Sequence, residues 1–186
     1  MTGIIRSLCL LAVLALTWPL AASAEEGKYN QDEVLKEAEN FFGTSAEGLA
    51  KVVEKAFQDK GQPNGFIKGQ EAAGAVGVGL RYGKGTLVLK NGETRKVYWQ
   101  GPSIGFDVGG NASKVFTLVY RLDKADEIYQ RFPGVDGSFY LVAGYGLNYQ
   151  QSGTIVLAPI RSGAGLRAGA SVGYLHYTRD ESWIPF

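Results

Sequence analysis

The spacing of apolar side chains changes from a helical to a strand period within the first half of the chain. Over 31–42, and again after Ala46, apolar residues recur every three or four positions, which predicts two amphipathic helices. Gly43 ends the first helix and Gly61 ends the second. Residues 44–47 have the sequence of a capping box, which predicts the start of the second helix. Its apolar face contains Leu49, Val52, Val53, Ala56 and Phe57.

From Ala72 onward, apolar and polar residues alternate, and this pattern predicts β-strands. Asn91-Gly92 predicts a tight hairpin turn, because both residues tolerate a positive φ. Further hairpin connections are expected at 151–153 and 161–163. The predicted strands are 73–80, 84–90, 94–100, 102–109, 113–121, 138–149, 153–160 and 164–178.

One short helix is predicted among the strands. Asp123 can cap its first turn, and Pro133-Gly134 ends it. Its apolar face contains Ile128, Tyr129 and Phe132.

Glycines recur at even spacing within the predicted strands, and even spacing places them on one face of each strand. Glycine weakens a strand interior, so its repeated use predicts strong curvature or close approach by another part of the chain. The sets are Gly77 and Gly79, Gly105 and Gly109, Gly144 and Gly146, and Gly165, Gly169 and Gly173.

These patterns together predict a mainly β fold. We expect a small antiparallel β-barrel of about 8–10 strands, preceded by N-terminal helices and with one short helix inserted between strands. The predicted boundaries are a signal peptide at 1–24, a helical segment at 25–65 and the glycine-rich barrel at 66–186. The helices and the barrel form one globular domain.

The first residues have the features of an export signal. Arg6 precedes an apolar run over 8–17, and Ala22-Ser23-Ala24 is a small-residue cleavage site. The apolar run is shorter than the ~20 residues that a membrane-spanning helix needs. We therefore predict a periplasmic protein, cleaved after Ala24.

The composition of the chain argues against several classes of partner and cofactor. The chain has 19 Lys and Arg against 18 Asp and Glu, and this near balance argues against a nucleic-acid partner. Cys9, the single cysteine, lies in the predicted signal peptide, so no disulfide is expected after cleavage. With one histidine and no spaced cluster of ligands, we expect neither a metal nor another cofactor. The sequence leaves the oligomeric state open.

Asp107 is an unusual residue for a strand and shares the glycine face of its own strand. Arg81, Arg121 and Arg167 are its candidate ion-pair partners. A buried ion pair is one interpretation, and a polar anchor inside a ligand cavity is the other. The candidate ligand-binding residues are Asp107, Arg81, Arg167, Tyr98 and Trp99.

The run Val97-Tyr98-Trp99 suits three settings: a membrane-interface belt, a platform for sugars, or ordinary strand packing. A glycan hydrolase that uses Asp107, Asp136 or His176 as acid or base is a further hypothesis. That chemistry requires two carboxylates at a suitable separation, which the sequence does not establish.

A C-terminal phenylalanine, here Phe186, is common in outer-membrane barrels. Asp180 and Ser182 break the alternation that such a strand requires, and Pro185 interrupts it. An integral outer-membrane barrel is therefore kept only as an alternative hypothesis.

Four segments are more specific than composition: 81–85, 98–107, 131–137 and 166–174. Together they resemble the EipA-type envelope-integrity family, an alphaproteobacterial domain once listed as of unknown function. The resemblance covers nearly all of the chain after residue 24. It implies a small soluble periplasmic β-barrel, without catalytic residues, that supports cell-envelope integrity and stress resistance. Envelope lipids, lipopolysaccharide and peptidoglycan are the partner classes that it leaves open.

A looser resemblance is to SYLF lipid-binding domains, which also follow a helical portion with glycine-alternating strands. Gly101, Ser103, Gly105 and Gly109 match the middle element of that pattern. The basic membrane-binding segment of some SYLF proteins has no match, because 31–60 mixes Glu and Lys. A SYLF-like lipid-binding module is therefore the alternative function.

Overall fold

The structure, a computed structural model, describes residues 27–107, 113–162 and 173–182, with the backbone alone for 73–78 and 103–107. The predicted signal peptide lies outside the described residues. So do Gly109, Gly165 and Gly169.

Two helices open the described chain, α1 (Gln31–Phe42) and α2 (Glu47–Lys60), and both predictions are confirmed. Gly43 and Gly61 end them with φ of 78° and 76°. The capping box predicted at 44–47 is wrong, because Ala46 occupies the N-cap of α2 and has no side-chain acceptor.

The capping box belongs to α1 instead. The Asn30 side chain accepts from the Glu33 amide at 2.9 Å, and the Glu33 carboxylate accepts from the Asn30 amide at 3.0 Å. Both contacts satisfy backbone donors that a helix start leaves unpaired.

The described residues form one antiparallel nine-stranded sheet, ordered β4-β9-β2-β1-β3-β8-β6-β5 with β7 beside β8. A one-turn 3₁₀ helix, Ala125–Ile128, lies between β3 and β4 at the place predicted for a short helix. Lys124 rather than Asp123 is its N-cap residue. The strands are β1 (Gly65–Leu89), β2 (Thr94–Asp107), β3 (Ser113–Tyr120), β4 (Arg131–Pro133), β5 (Tyr140–Val142), β6 (Tyr145–Leu147), β7 (Gln150–Ser152), β8 (Ile155–Ser162) and β9 (Tyr174–Thr178). The mainly β, antiparallel fold is confirmed.

Strand β1 folds back on itself. Its 25 residues would span about 80 Å if extended, yet its two ends lie side by side. The Lys90 amide donates to the Asn64 carbonyl at 2.9 Å. Farther along, a Cβ placed on Gly85 would lie 2.9 Å from the Gly69 Cα. Two halves of one strand therefore form adjacent parts of the wall, one paired with β2 and the other with β3.

The sheet curls until its two sides meet. Gly134, directly after β4, forms an antiparallel bridge with Gln150 of β7, and β7 pairs with β8. The Val135 amide also donates to the Tyr149 carbonyl at 2.9 Å. This contact brings the β4 side of the sheet to the β8 side, as a barrel requires.

The curled sheet separates two apolar cores. Alternation along β3 places Val115 and Val119 inside the curl, and Phe116 and Leu118 outside it. The helices cover the outer side of β3, β6 and β8 with Leu49 and similar residues. The inner core contains Ile67, Leu87, Leu89, Val97, Trp99, Val115, Val119, Leu122, Ala125, Ile128, Phe132, Ile155, Leu157, Leu175 and Tyr177.

Three sequence predictions of strands and turns are wrong. The strand predicted at 138–149 is a hairpin of β5 and β6, because Ala143 and Gly144 have φ of 45° and 85° and form its turn. In the connection predicted at 161–163, residues 161 and 162 continue β8 instead of turning, and Gly163 lies outside the described residues. The strand that contains 73–80 begins at Gly65, earlier than the alternation predicted.

The Asn91-Gly92 turn is confirmed between β1 and β2, where Gly92 has φ of 91°. Residues 151–153 also belong to a hairpin, which joins β7 and β8 through Gly153. Among the described residues, no helix is both long and apolar enough to cross a membrane.

Candidate functional site

A buried carboxylate, Glu71, organises one region inside the curled sheet. Its side chain is 3% exposed. Arg161 donates from Nε to Glu71 Oε1 at 2.8 Å, and Trp99 donates from Nε1 to Oε2 at 2.9 Å. Arg81 Nε lies 3.2 Å from Oε1. The Arg161 guanidinium also donates to Asn148 Oδ1 at 2.6 Å. Because Glu71 and Arg81 are on β1, Trp99 on β2 and Arg161 on β8, the cluster joins these three strands.

Strand alternation explains this gathering. On β1, Ile67, Leu87 and Leu89 are inner-core residues, and Glu71 and Arg81 are also odd-numbered and point the same way. The odd-numbered positions on the other side of each of them, Gly69 before Glu71 and Gly83 and Gly85 after Arg81, are glycines. A Cβ on Gly83 would overlap the Trp99 indole, and one on Gly69 would lie 2.5 Å from its Cη2 atom. The inward glycines of β1 therefore make room for Trp99.

Electrostatics keep Glu71 ionised. Burial raises the pKa of Glu71, but the charges of Arg161 and Arg81 and the donated hydrogen bonds outweigh burial and lower that pKa to about 2. Both carboxylate oxygens accept hydrogen bonds, one from the buried Trp99 and one from the partly buried Arg161. A carboxylate held in this way is suited to organising a core and poorly suited to exchanging protons near neutral pH.

A pocket of about 150 Å³ opens on the outside of the same region. It lies where the two halves of β1 diverge, with Glu71 and Trp99 at its base and Tyr82 and Tyr98 along its sides. An adjoining hollow of about 220 Å³ shares Tyr98. The remaining lining residues of the pocket are Gln70, Ala72, Gly83, Lys84, Gln100, Glu181 and Ser182.

The predicted ligand-binding residues lie in different parts of the structure, and two of them are not fully described. Arg81 lies against Glu71 within the sheet. The Asp107 backbone pairs with Ala75 at the end of β2, but the Asp107 side chain and all of Arg167 lie outside the described part of the chain. Arg121 is exposed and donates to the Thr154 carbonyl at 2.6 Å. The pairing of Asp107 with an arginine stays a prediction.

The aromatic run 97–99 does not form one exposed surface. Val97 and Trp99 are buried in the inner core, and Trp99 is 2% exposed. Tyr98 points the other way, because neighbouring residues of a strand alternate between faces. Trp99 therefore belongs to the core and reaches only the base of the pocket, whereas Tyr98 lies along its side, and the ligand-binding roles of both residues stay predictions.

The residues named for a hydrolase are not assembled into an acid–base pair within the described residues. Burial and the Arg131 charge lower the pKa of His176. No described carboxylate hydrogen bonds to His176. Asp136 lies in an exposed turn between β4 and β5. The described chain also contains no group of three or more metal-ligating side chains.

Sequence reasoning missed Glu71 and Arg161. The strand period becomes clear only at Ala72, one residue after Glu71. Ser162 and Gly163, which follow Arg161, predict a turn there. A useful indication was available on β8, where Arg161 follows Ile155 and Leu157 at even spacing and so shares their inward face.

Comparisons with known proteins agree with this fold. The family model of envelope integrity protein A matches residues 27–186. The crystal structure of a beta-barrel-like, uncharacterized protein from Brucella abortus is similar, with a TM-score of 0.78 and 48% sequence identity. That alignment covers 86% of this chain and 99% of the Brucella chain. No curated protein matches this chain. Because the family model spans most of its length, the chain belongs to the envelope integrity protein A family.

Proposed function

We propose that this chain is an exported, periplasmic, non-enzymatic β-barrel that supports cell-envelope integrity and stress resistance through contacts made by its outer surface. Membership of the envelope integrity family supports the biological role. The predicted signal peptide at 1–24 supports the location. Envelope lipid, lipopolysaccharide and peptidoglycan are the partner classes that such a surface would meet.

The observation that carries this proposal is the packed interior of the curled sheet. The Trp99 and Tyr177 ring centroids are 5.7 Å apart, and those of Phe132 and Tyr177 are 5.5 Å apart. Glu71, the buried carboxylate beside these rings, is already occupied by arginine and tryptophan donors. The described interior is thus built as a core, and a ligand is better accommodated on the outside.

A deletion strain tests the proposal. We expect cells that lack this chain to lose resistance to detergent and to envelope-directed antibiotics, and the full-length gene to restore it. A gene without residues 1–24, expressed to the same level, is the matched control and is expected not to restore resistance. Normal resistance in the deletion strain, or full rescue by the control, would contradict the proposal.

Lipid contact is a second candidate function, favoured by an exposed apolar hairpin. Phe139, Tyr140 and Leu141 are 38%, 38% and 43% exposed, and Lys55 lies 5.7 Å from the Tyr140 ring centroid. Apolar side chains beside lysines suit the surface of an anionic membrane. Flotation with phosphatidylglycerol vesicles tests this function. Binding that Leu141→Ser weakens supports it, and absence of flotation rejects it.

A further inference from the structure

The outer face of the β1–β2 hairpin carries a row of polar and aromatic side chains. In the antiparallel register, Tyr82 pairs with Gln100, Lys84 with Tyr98, and Thr86 with Lys96. Their strand neighbours Leu87, Val97 and Trp99 belong to the inner core, so this row lies on the opposite face of the hairpin, where Gln100 is buried and Lys84 and Lys96 are exposed. The residues that pack with α1 and α2 come mainly from β3, β6 and β8, and among the described residues neither Tyr82 nor Tyr98 belongs to that outer core.

Two adjoining hollows lie along this row. The pocket at the divergence of β1 holds about 150 Å³, a volume sufficient for one six-membered ring. The second hollow is lined by Lys84, Gly85, Thr86, Lys96 and Tyr98. Tyr98 and Lys84 line both, so a ligand longer than one ring could continue from the first hollow into the second.

The two ends of the row differ in charge. Lys84 and Lys96 are exposed, and neither forms an ion pair with a described residue. At the other end, Glu181 supplies an exposed carboxylate, a hydrogen-bond acceptor, beside Ser182 and the buried Gln100. Tyr82 and Tyr98 supply ring surface between them. The combination suits a ring that carries hydroxyl groups on one side and an anionic group on the other.

We propose that this face binds an acidic sugar unit of a glycan. The pyranose ring lies in the pocket against Tyr98 and Tyr82, and its hydroxyl groups bond to the exposed carboxylate of Glu181. Its carboxylate or phosphate is directed toward Lys84 and Lys96, because an ammonium group donates charge-assisted hydrogen bonds to either anion. This inference rests on the proposed function only for the periplasmic source of the glycan.

The base of the pocket is held in shape before any ligand arrives. Trp99 and Glu71, which form it, are fixed by Arg161 and by the close approach of Gly83. A preformed site loses less conformational entropy on binding than a site that must be ordered. Weak but specific recognition of a single sugar is therefore attainable here.

Binding measurements on the purified protein test the proposal with three probes: glucuronic acid, glucose 6-phosphate and glucose. We expect saturable binding of at least one acid, detected by ligand-observed NMR, and affinity for glucose lower by about tenfold or more. The acid that binds better identifies carboxylate or phosphate as the natural group. Raising the salt concentration is expected to weaken acid binding.

Variants locate the site. Tyr98→Ala is expected to abolish binding, and Lys96→Gln to remove most of the preference for acid over glucose. Lys36→Gln removes an exposed lysine elsewhere and is expected to change nothing. Thermal unfolding of each variant establishes that it is folded before binding is compared.

Three results would overturn the proposal: no saturable binding by folded protein, equal affinity for glucose and both acids, or unchanged binding in Tyr98→Ala. These failures are distinct from failure of the proposed function. A protein that binds none of the probes but restores detergent resistance rejects the sugar site alone. Binding without any envelope phenotype rejects the proposed function alone.

Discussion

At the scale of single residues, Trp99 shows why inward glycines are needed on β1. Its indole donates to Glu71 and at the same time occupies the space that side chains at Gly69 and Gly83 would fill. Glycine at these positions therefore allows the Trp99 indole to lie close to the β1 backbone. Gly144 serves a different purpose, since its φ of 85° belongs to a turn.

Adding one methyl group at Gly83 tests the close approach. We expect Gly83→Ala to lower the free energy of unfolding by about 1–3 kcal/mol, because the new Cβ overlaps the indole and forces it to move. Urea denaturation measures the change. Thr86→Ala, at an exposed outward position of the same strand, is the matched control and should change stability little. Equal stabilities of the two variants would contradict the role of Gly83.

Glu71 makes a pH-dependent contribution to stability. Its pKa is about 2 in the folded chain against 4.5 for the unperturbed group, so the unfolded state takes up the proton first as pH falls. The contribution is fully present above about pH 5 and is lost toward pH 2, on the order of 3 kcal/mol in total.

Urea midpoints of the wild type and Glu71→Gln over this pH range measure that contribution. We expect the wild type to be more stable at pH 6, and the gap between the two proteins to narrow as pH falls. Comparing the two proteins removes the contributions of the other carboxylates. A gap that stays constant would show that Glu71 does not titrate as described.

At the scale of elements, α2 meets the sheet at a position without a side chain. Gly48, in its first turn, faces the turn between β5 and β6, where a Cβ would lie 2.6 Å from the Ala143 Cβ and 3.1 Å from the Ala143 carbonyl oxygen. The helix accepts a residue of poor helix propensity because close docking requires it.

The Gly48→Ala substitution therefore has two opposing effects on stability, one from helix propensity and one from packing. In an exposed helix, alanine would stabilise by about 1 kcal/mol relative to glycine. Here we expect the opposite sign, because the methyl group pushes α2 away from Ala143. The stability difference between Glu54→Ala and Glu54→Gly, at an exposed position of the same helix, is the control for propensity, because both variants lose the same hydrogen bond from Gln58. Chemical denaturation measures the sign of the change in the free energy of unfolding. A Gly48→Ala protein more stable than the wild type would contradict this docking of α2 against Ala143.

Elements fixed by local chemistry were predicted well from sequence. The apolar face of α2 and the stops at Gly43 and Gly61 required only periodicity and a positive φ. The hairpin of β5 and β6 was missed because Ala143 gives no local indication of its φ of 45°. The folding back of β1 was missed because it depends on contacts between residues far apart in sequence, such as Gly69 and Gly85.

At the scale of the whole molecule, one curled sheet is packed on both sides. Its outer side at β3, β6 and β8 is buried under α1 and α2, while its inner side surrounds the ring cluster of Trp99, Phe132 and Tyr177. The candidate site follows from this arrangement, because strand alternation sends Trp99 inward and Tyr98 outward. Sequence alone named both residues but could not assign the faces, since closure of the sheet decides which side is inside.

The central claim is that the interior is a core organised by Glu71, with recognition left to the outer surface. Replacing Glu71 by Gln leaves Arg161 and Arg81 without their buried counter-charge. Breaking a buried ion pair in this way costs about 3–5 kcal/mol. The partly exposed pair of Glu37 and Lys68 offers the matched surface control, at about 1 kcal/mol or less.

The most direct measurement is the free energy of unfolding at neutral pH of the wild type, Glu71→Gln and Glu37→Gln, obtained from urea denaturation. The account predicts a loss of about 3–5 kcal/mol for Glu71→Gln and at most about 1 kcal/mol for Glu37→Gln. A Glu71→Gln protein that unfolds at the same urea concentration as the wild type would contradict it.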